Sequence, residues 1–337
     1  MKVTLHTLAE KSGFSITTVS RALAGYSDVN EQTRARIKAL ADELGYVPNQ
    51  AARRLQSQQS NTIGLVIPLT DDFSDPFFME LLTGVGRQAS TYGYDLLISA
   101  HPPGEEEMEA YQRLVSGSRV DGMVLARTHV DDPRIAYLKD VNHPFVVNGR
   151  ANDDDFPFID VDGFRSFHML TEHFIDYGHR DIAYIGCPPD LGYAAARQHG
   201  YDASLTDHRI PVNKDYVVEG DLTMPGGVTA AQQLLSLDHP PTAIIAGNDL
   251  MALGAMQVCR QQGLTVGEDI AVAGFDDIPL SSHADPPLTT VRQPIREIGY
   301  QLVEMLITLI RGETLEESQR LIEPTLIIRA SSGKPLN

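Results

Sequence analysis

Polar side chains that close apolar, β-branched runs are the residues of this chain best placed to do chemistry. Asn148 and Arg150 end FVVNGR, Asn248 and Asp249 follow IIAG, Asp276 ends AGFDD, and Gln293 follows PPLTTVR. Arg197 lies in AAARQHGY and Arg127 in LARTHVDDPR. Open α/β sheets take ligands past the carboxyl ends of their strands, so polar groups there are candidates for binding. The set suits a polyol. Asp276, Asn148 and Asn248 can accept from or donate to hydroxyls, and the Arg197 guanidinium can fork two of them. Each of these residues has a second use, as a satisfied strand-end polar group or half of a salt bridge, and the sequence leaves both open.

Enzyme chemistry has weaker support. Gly84-Val-Gly86-Arg-Gln-Ala89 spells GxGxxA, but a dinucleotide fingerprint must sit at the strand-to-helix turn. These glycines fall well inside a helix that starts near residue 76. The chain has eleven histidines, yet His168, His173 and His179 lack i, i+4 spacing and no HExxH occurs. No GxSxG elbow and no P-loop is present. The expectation is no enzyme, no metal and no cofactor.

The elements that hold these residues follow from periodicity. From residue 62, TIGLVI is an apolar run of the buried parallel kind. A helix over 76–92, a strand over 95–99, a helix over 105–116 and strands over 122–125 and 145–147 continue it. A second series has strands over 181–185, 243–246 and 270–274, with helices over 164–177, 226–235 and 249–262. Such alternation implies two doubly wound parallel-sheet α/β lobes, with ligand between them.

The first sixty residues differ. They hold eight Lys/Arg and five Asp/Glu, a net of +3, so the remainder must carry −21 of the total −18. A basic head on an acidic body suits a protein that offers one face to phosphate. Thr4 is placed to cap a helix carrying Leu5, Leu8 and Ala9. Ser12-Gly13 breaks it, and Ser15 can cap a second helix over 15–23. In the window 5–24, Ala9 is fifth, Gly13 ninth and Val19 fifteenth. This is a helix-turn-helix arrangement: a small residue at the crossing, a glycine for the left-handed turn, an apolar residue to close the pair. A third helix over 31–44 buries Ile37, Leu40, Ala41 and Leu44, and Gly45 ends it. A short helix-compatible stretch, NQAARRL, and a linker, SQQSN, follow.

VTLHTLAEKSGFSITTVSRAL followed by LGYVPNQAARRL resembles the DNA-binding head of the LacI/GalR family of bacterial repressors. The resemblance extends over the body, which also resembles periplasmic sugar-binding proteins. It implies a small all-α helix-turn-helix head (1–47), a hinge helix and linker (48–61) and an effector-binding body (62–337). Within the body it implies an N-lobe of about 62–160 and 291–321 and a C-lobe of about 161–290 and 322–337. It places Ile16, Thr17 and Arg21 at base-reading positions. Arg21 can pair with guanine and Ile16 with a thymine methyl. Thr4, Ser15 and Asn49 fall at phosphate or backbone contacts, Ala52 and Arg53 in the DNA-binding hinge, and Leu55 at the position that wedges into the central base step. Ile16 as core, Arg21 on phosphate alone and Leu55 packed within a dimer are the other readings. The family's ligand residues fall on Phe77, Phe78, Arg127, Asn148, Arg197, Asn248, Asp276 and Gln293.

Two departures are visible. The family usually has an aspartate near the start of the first helix, where this chain has Thr7, which bears on a capping interaction. The family often has an aromatic after the EGD strand for stacking on a sugar, where this chain has Leu222-Thr223-Met224. Phe77 and Phe78 are then the candidate platform. The stretch VDGMVLARTHVDDPRIAYL resembles members that answer to α-glucosides or other plant-derived sugars.

The implied protein is a homodimeric regulator, a repressor of carbohydrate-use genes. It binds a palindromic operator in double-stranded DNA and is switched by a mono- or oligosaccharide. A co-repressor answering to a non-sugar metabolite is one alternative. A sugar-binding transport receptor is another, but it calls for a signal peptide and no basic head. The N-terminal stretch MKVTLHTLAEKSGF has no h-region and no run suits a membrane span, so the expected location is cytoplasmic. Cys187 and Cys259 flank no metal spacing and read as buried thiols.

Overall fold

The computed structural model describes residues 3–46, 59–69 and 75–333. Contacts divide the chain into two units, Met1–Ser60 and Asn61–Asn337.

In the first unit, α1 (Leu5–Ser12), α2 (Ile16–Leu23) and α3 (Glu31–Glu43) enclose a small core of Leu8, Val19, Ala22, Val29, Ile37 and Ala41. Each Leu, Val or Ile buried there contributes about 1.5–3 kcal/mol, so helix ends matter in so small a body. Thr4 and Thr7 form a reciprocal capping box: the Thr7 N–H donates to Thr4 Oγ1 at 3.3 Å and the Thr4 N–H to Thr7 Oγ1 at 3.4 Å. The residue that departs from the family pattern thus makes the cap itself. Gly13, at φ +78°, ends α1 in the left-handed region. Ser15 accepts from the Thr18 N–H at 3.1 Å and starts α2. Arg34 donates to the carbonyls of Tyr26 and Val29 and fixes the loop ahead of α3.

The second unit holds two sheets. The strands are β1 (Thr62–Pro68), β2 (Asp95–His101), β3 (Gly122–Ala126), β4 (Phe145–Asn148), β5 (Phe158–Val161), β6 (Ile182–Gly186), β7 (Val217–Glu219), β8 (Ala243–Ala246), β9 (Ala271–Asp276), β10 (Thr289–Arg292), β11 (Gln319–Ile322) and β12 (Thr325–Ile327). The first sheet runs β11-β5-β4-β3-β1-β2 and is parallel throughout. The second runs β12-β10-β9-β8-β6-β7, parallel except for the antiparallel β10–β12 pair. Strands β1, β3, β4, β6, β8 and β9 are buried at every position, because helices cover both faces. The edge strand β2 alternates instead.

Those helices are α4 (Pro76–Thr91), α5 (Glu105–Ser116), α6 (Pro133–Asp140), α7 (Gly163–Asp176), α8 (Ala194–Asp207), α9 (Met224–Leu235), α10 (Asp249–Gln261) and α11 (Ile295–Ile310). The chain leaves the first sheet after β5, returns after β10 to place α11 against β3 and β4, adds β11, and crosses again to β12. Gly84 of α4 meets Gly299 of α11, and a Cβ on Gly84 would lie 2.2 Å from the Arg296 carbonyl oxygen. Gly84 of the GxGxxA string is therefore a helix-crossing residue. No helix among the described residues is long and apolar enough to cross a membrane.

Away from the crossovers, a strap joins the two lobes. The Val130 N–H donates to the Asp190 carbonyl at 2.8 Å and the Gly192 N–H to the Thr128 carbonyl at 2.9 Å. His129 Nδ1 lies 3.0 Å from Asp190 Oδ2. A Cβ on Gly192 would fall 1.8 Å from the Arg150 carbonyl oxygen.

Candidate functional site

On the first unit, Ile16, Thr17 and Arg21 come together with Leu5, Ser20 and Tyr26 around one shallow concavity. Ile16 is 44% exposed while Val19 and Ala22 of the same helix are fully buried. The core reading of Ile16 is thereby excluded. Arg21 is held rather than loose: its Nη2 pairs with Asp28 Oδ2 at 2.6 Å and its guanidinium lies over the Tyr26 ring at 5.0 Å. Thr4 and Ser15 accept a backbone N–H in their caps, and their hydroxyls also lie 3.1 and 2.9 Å from those of Thr7 and Thr18; both sit at exposed helix N-termini, which favour anions. Asn49, Ala52, Arg53 and Leu55 lie outside the described residues.

In the second unit, a narrow cleft opens between the carboxyl ends of the two sheets' strands, the place where open α/β folds take ligands. The first lobe contributes Asp75, Phe77, Arg127, Asn148, Gly149 and Asp160; the second contributes Tyr193, Arg197, Leu222, Asn248, Asp276 and Gln293. Of the ligand residues implied by the family resemblance, Phe78 is the one the lining leaves out. It is fully buried in the core, with the Arg127 guanidinium 5.2 Å from its ring centre. On the first turn of α4 only Phe77 faces the cavity. Arg150 is also absent from the lining and donates to Asp154 at 2.8 and 2.6 Å.

Arg197 organises the second-lobe wall. Its guanidinium is sandwiched between Tyr193 at 4.1 Å and Phe275 at 4.0 Å from the ring centres. Nη1 donates to the Gly247 carbonyl at 2.7 Å, beside the buried Cys187 thiol. The buried Nε finds no acceptor among the described residues. Arg127 pairs with Asp75 at 2.6 Å, and Asp75 caps α4 by accepting from the Phe77 N–H.

The amides do double duty. Asn248 caps α10 by accepting from the Met251 N–H and donates to the Leu222 carbonyl, both at 2.9 Å. Asn148 donates to the Ile159 carbonyl at 3.1 Å. Gln293 donates to Asp276 Oδ1 at 2.6 Å, which orients that carboxylate. Asp276 itself sits at φ +124°, a conformation costing about 1–3 kcal/mol that persists only where the surroundings enforce it. Neighbouring Asp249 is fully buried and accepts from Ser281, Thr290 and the Ile278 N–H, a structural role.

Burial raises the pKa of all three lining carboxyls. Desolvation pushes Asp276 well above the usual range, helped by Asp249 and opposed by Arg197. Desolvation lifts Asp160 to about 6 against the pull of Arg197, and raises Asp75 against that of Arg127. The walls thus offer carboxyl and amide acceptors, amide and guanidinium donors, and the rings of Phe77 and Tyr193: the equipment for a polyhydroxylated ring with an apolar face.

Comparison with known proteins decides what surrounds this cavity. Residues 4–49 match the model for bacterial regulatory proteins of the lacI family, and residues 171–332 match that of a periplasmic binding protein-like domain. The transcriptional regulator AglR of Rhizobium meliloti (strain 1021) is 36% identical over 99% of this chain and 95% of its own. The chain belongs to the LacI family of bacterial regulatory proteins. A solved structure of the regulator CelR in complex with cellobiose is 32% identical, with TM-score 0.76 over 98% of this chain and 100% of that one. The Lac repressor dimer bound to operator and the anti-inducer ONPF is 29% identical, with TM-score 0.88 over 99% and 100%.

For a LacI-family transcription regulator, sequence reasoning missed three useful parts of the cavity. Tyr193 supplies the aromatic thought absent; its spacing of four from Arg197 was the available signal. Asp75, in an Asp-Pro cap signature, neutralises Arg127. Asp160 gave no signal, being one polar residue in an otherwise apolar strand.

Proposed function

We propose that this LacI-family regulator represses carbohydrate-use genes by binding a palindromic operator as a homodimer in the cytoplasm, and that a mono- or oligosaccharide in the cleft switches it. The observation that carries the reading is the cavity itself, where polar groups from two lobes converge in a chain that also bears a helix-turn-helix. Asp276, Asn148, Arg197, Asn248 and Gln293 hold hydroxyls, Arg127 sets the first-lobe wall, and Phe77 and Tyr193 cover the ring. Because the ligand touches both lobes, it favours one lobe arrangement over another, and that differential affinity is what shifts the equilibrium. Ile16, Thr17 and Arg21 read the major groove, with Thr4, Ser15 and Asn49 on the backbone and Ala52 and Arg53 in the DNA-binding hinge. Leu55 enters the minor groove. The Lac repressor dimer on operator and the cellobiose-bound CelR support this reading by likeness.

The test is selection of binding sites from random duplex DNA with the full-length protein at a fixed salt concentration, repeated with a panel of sugars. An enriched palindrome whose affinity one sugar alters is the expected result, and the direction of change separates induction from co-repression. A selection that enriches no palindrome overturns the regulator reading.

A further inference from the structure

Arg21 of α2 is held on two sides. Its Nε donates to Asp28 Oδ1 at 3.3 Å and its Nη2 pairs with Asp28 Oδ2 at 2.6 Å. Its guanidinium carbon lies 5.0 Å from the centre of the Tyr26 ring. Both partners sit on the turn between α2 and α3, and that turn is itself tied down. Arg34 Nη2, from α3, donates to the Tyr26 carbonyl at 2.7 Å and to the Val29 carbonyl at 3.1 Å. The Tyr26 N–H donates to the Arg21 carbonyl at 3.1 Å, and Val29 is buried in the core of the first unit.

The edge that Asp28 takes decides what is left. A guanidinium has a side edge, Nε with Nη2, and an end edge, Nη1 with Nη2. A carboxylate on the side edge leaves the end edge open, and Nη1 has no partner among the described residues. Guanine offers two acceptors, N7 and O6, to such a pair of N–H groups. The open edge belongs to the concavity that Arg21 shares with Ile16, Thr17 and Tyr26.

The Arg21 and Asp28 side chains are 45% and 53% exposed, so their pairing adds little to the stability of the head. A carboxylate also works against binding to a polyanion. Its effect falls on Arg21 instead. Immobilising a long side chain at an interface costs about 2–12-fold in affinity, and here the ordering is done before DNA arrives.

We propose that Asp28 is a positioning residue for operator recognition: it presets Arg21 for a guanine and sharpens base choice at one operator position, while weakening general affinity for DNA. This rests on the reading above in which Arg21 meets a base edge.

The test is binding of the full-length protein to its selected duplex, and to duplexes changed one base pair at a time, at fixed salt. It is run as a cycle of Asp28→Asn, Arg21→Ala and the double variant. Asp28→Asn keeps the size and removes the charge. It should lower the preference for guanine by about 2–12-fold at the position that Arg21→Ala flattens. It should also raise affinity for unrelated duplex DNA by up to about fivefold, the size of one exposed charge interaction. In the Arg21→Ala background it should leave base preference unchanged, which a general loosening of the head would not do. Tyr26→Leu removes the other support and should blunt the same position, which keeps the proposal refutable if the Asp28 variant does not fold. A preference unchanged or sharpened in Asp28→Asn overturns the inference. So does a change spread evenly over all positions, or one that persists without Arg21. In each of these cases the base-reading role of Arg21 stands. If Arg21→Ala flattens no position, that role falls and the inference falls with it.

Discussion

Replacing Gly192 by alanine should prop the two lobes apart. The added Cβ would lie 1.8 Å from the Arg150 carbonyl oxygen and 2.8 Å from its carbonyl carbon, both backbone atoms that no rotamer can move. Comfortable contact is about 3.5 Å, so the facing segments must separate by roughly 1.5 Å. That movement takes Gly192 N–H→Thr128 O and Val130 N–H→Asp190 O, now 2.9 and 2.8 Å, out of hydrogen-bonding range. Each bond contributes about 0.5–1.5 kcal/mol, so the joined arrangement loses about 1–3 kcal/mol. This is a factor of roughly 5–150 in the equilibrium between lobe arrangements. A sugar that grips both walls then binds more weakly by that factor, and the sugar concentration that alters DNA affinity rises in step. Calorimetry of the sugar and small-angle scattering of the unliganded protein provide the two readouts. Wild-type affinity together with an unchanged radius of gyration would refute the reasoning, because it would mean the strap yields without opening the cleft.

Three other outcomes are expected. Arg21→Ala should relax base preference at one operator position by about 1–3 kcal/mol; a uniform loss across all sequences, with a shallower salt slope, would make Arg21 a phosphate contact instead. Asp160→Asn should leave thermal stability unchanged near pH ~4 and raise it near pH ~7.5. The parent's Asp160 holds its proton up to about 6 when folded, against 3.8 ordinarily, so its contribution is greatest below the unfolded value and is lost as pH rises through the folded one. The difference should be on the order of 1–3 kcal/mol after solvent screening, and an equal gap in melting temperature at both pH values would contradict it. Gly84→Val sets a side chain against the Arg296 carbonyl at the α4–α11 crossing and should cost about 1–3 kcal/mol or more; an unshifted melting midpoint would show that the helices can spread there.

The parts of this molecule legible in its sequence are those in which local chemistry and global fold agree. Gly13 had to adopt a left-handed turn, Ser15 had to cap, and the buried strands show as β-branched runs because both their faces are covered. The strand-end polar residues were legible for the same topological reason, and Asn148, Asn248, Asp276 and Gln293 do meet in one cavity, together with Arg197 of α8. Phase within a single turn was not legible. Phe77 and Phe78 are chemically alike, and only the packing of α4 on its sheet turns one toward the cavity and the other into the core. Thr7 misleads for a related reason, since a family pattern names the commonest capping residue whereas the backbone requires only a short side-chain acceptor. Asp160 and Tyr193 depend on how the lobes face each other, which no local pattern encodes. Within the binding set, the amides also proved to be structural: Asn248 caps α10 and bridges to Leu222, so a loss of sugar binding on its replacement would not by itself separate contact from scaffolding.

The return of the chain to its first sheet has a consequence for synthesis. Strands β1 to β5 leave the ribosome early, but α11, which covers β3 and β4, and the edge strand β11 follow only after the whole second sheet up to β10 has been made. About 130 residues separate β5 from α11, or roughly 7–25 s at ~5–20 residues per second. Through that interval the nascent first lobe carries an uncovered apolar face and an open edge at β5, the conditions that favour mispairing with other chains. The small head, complete within its own three helices, is ready long before. A ribosome stalled between β10 and β11 would therefore display a finished head on an unfinished first lobe, a species for which chaperone capture is the natural fate.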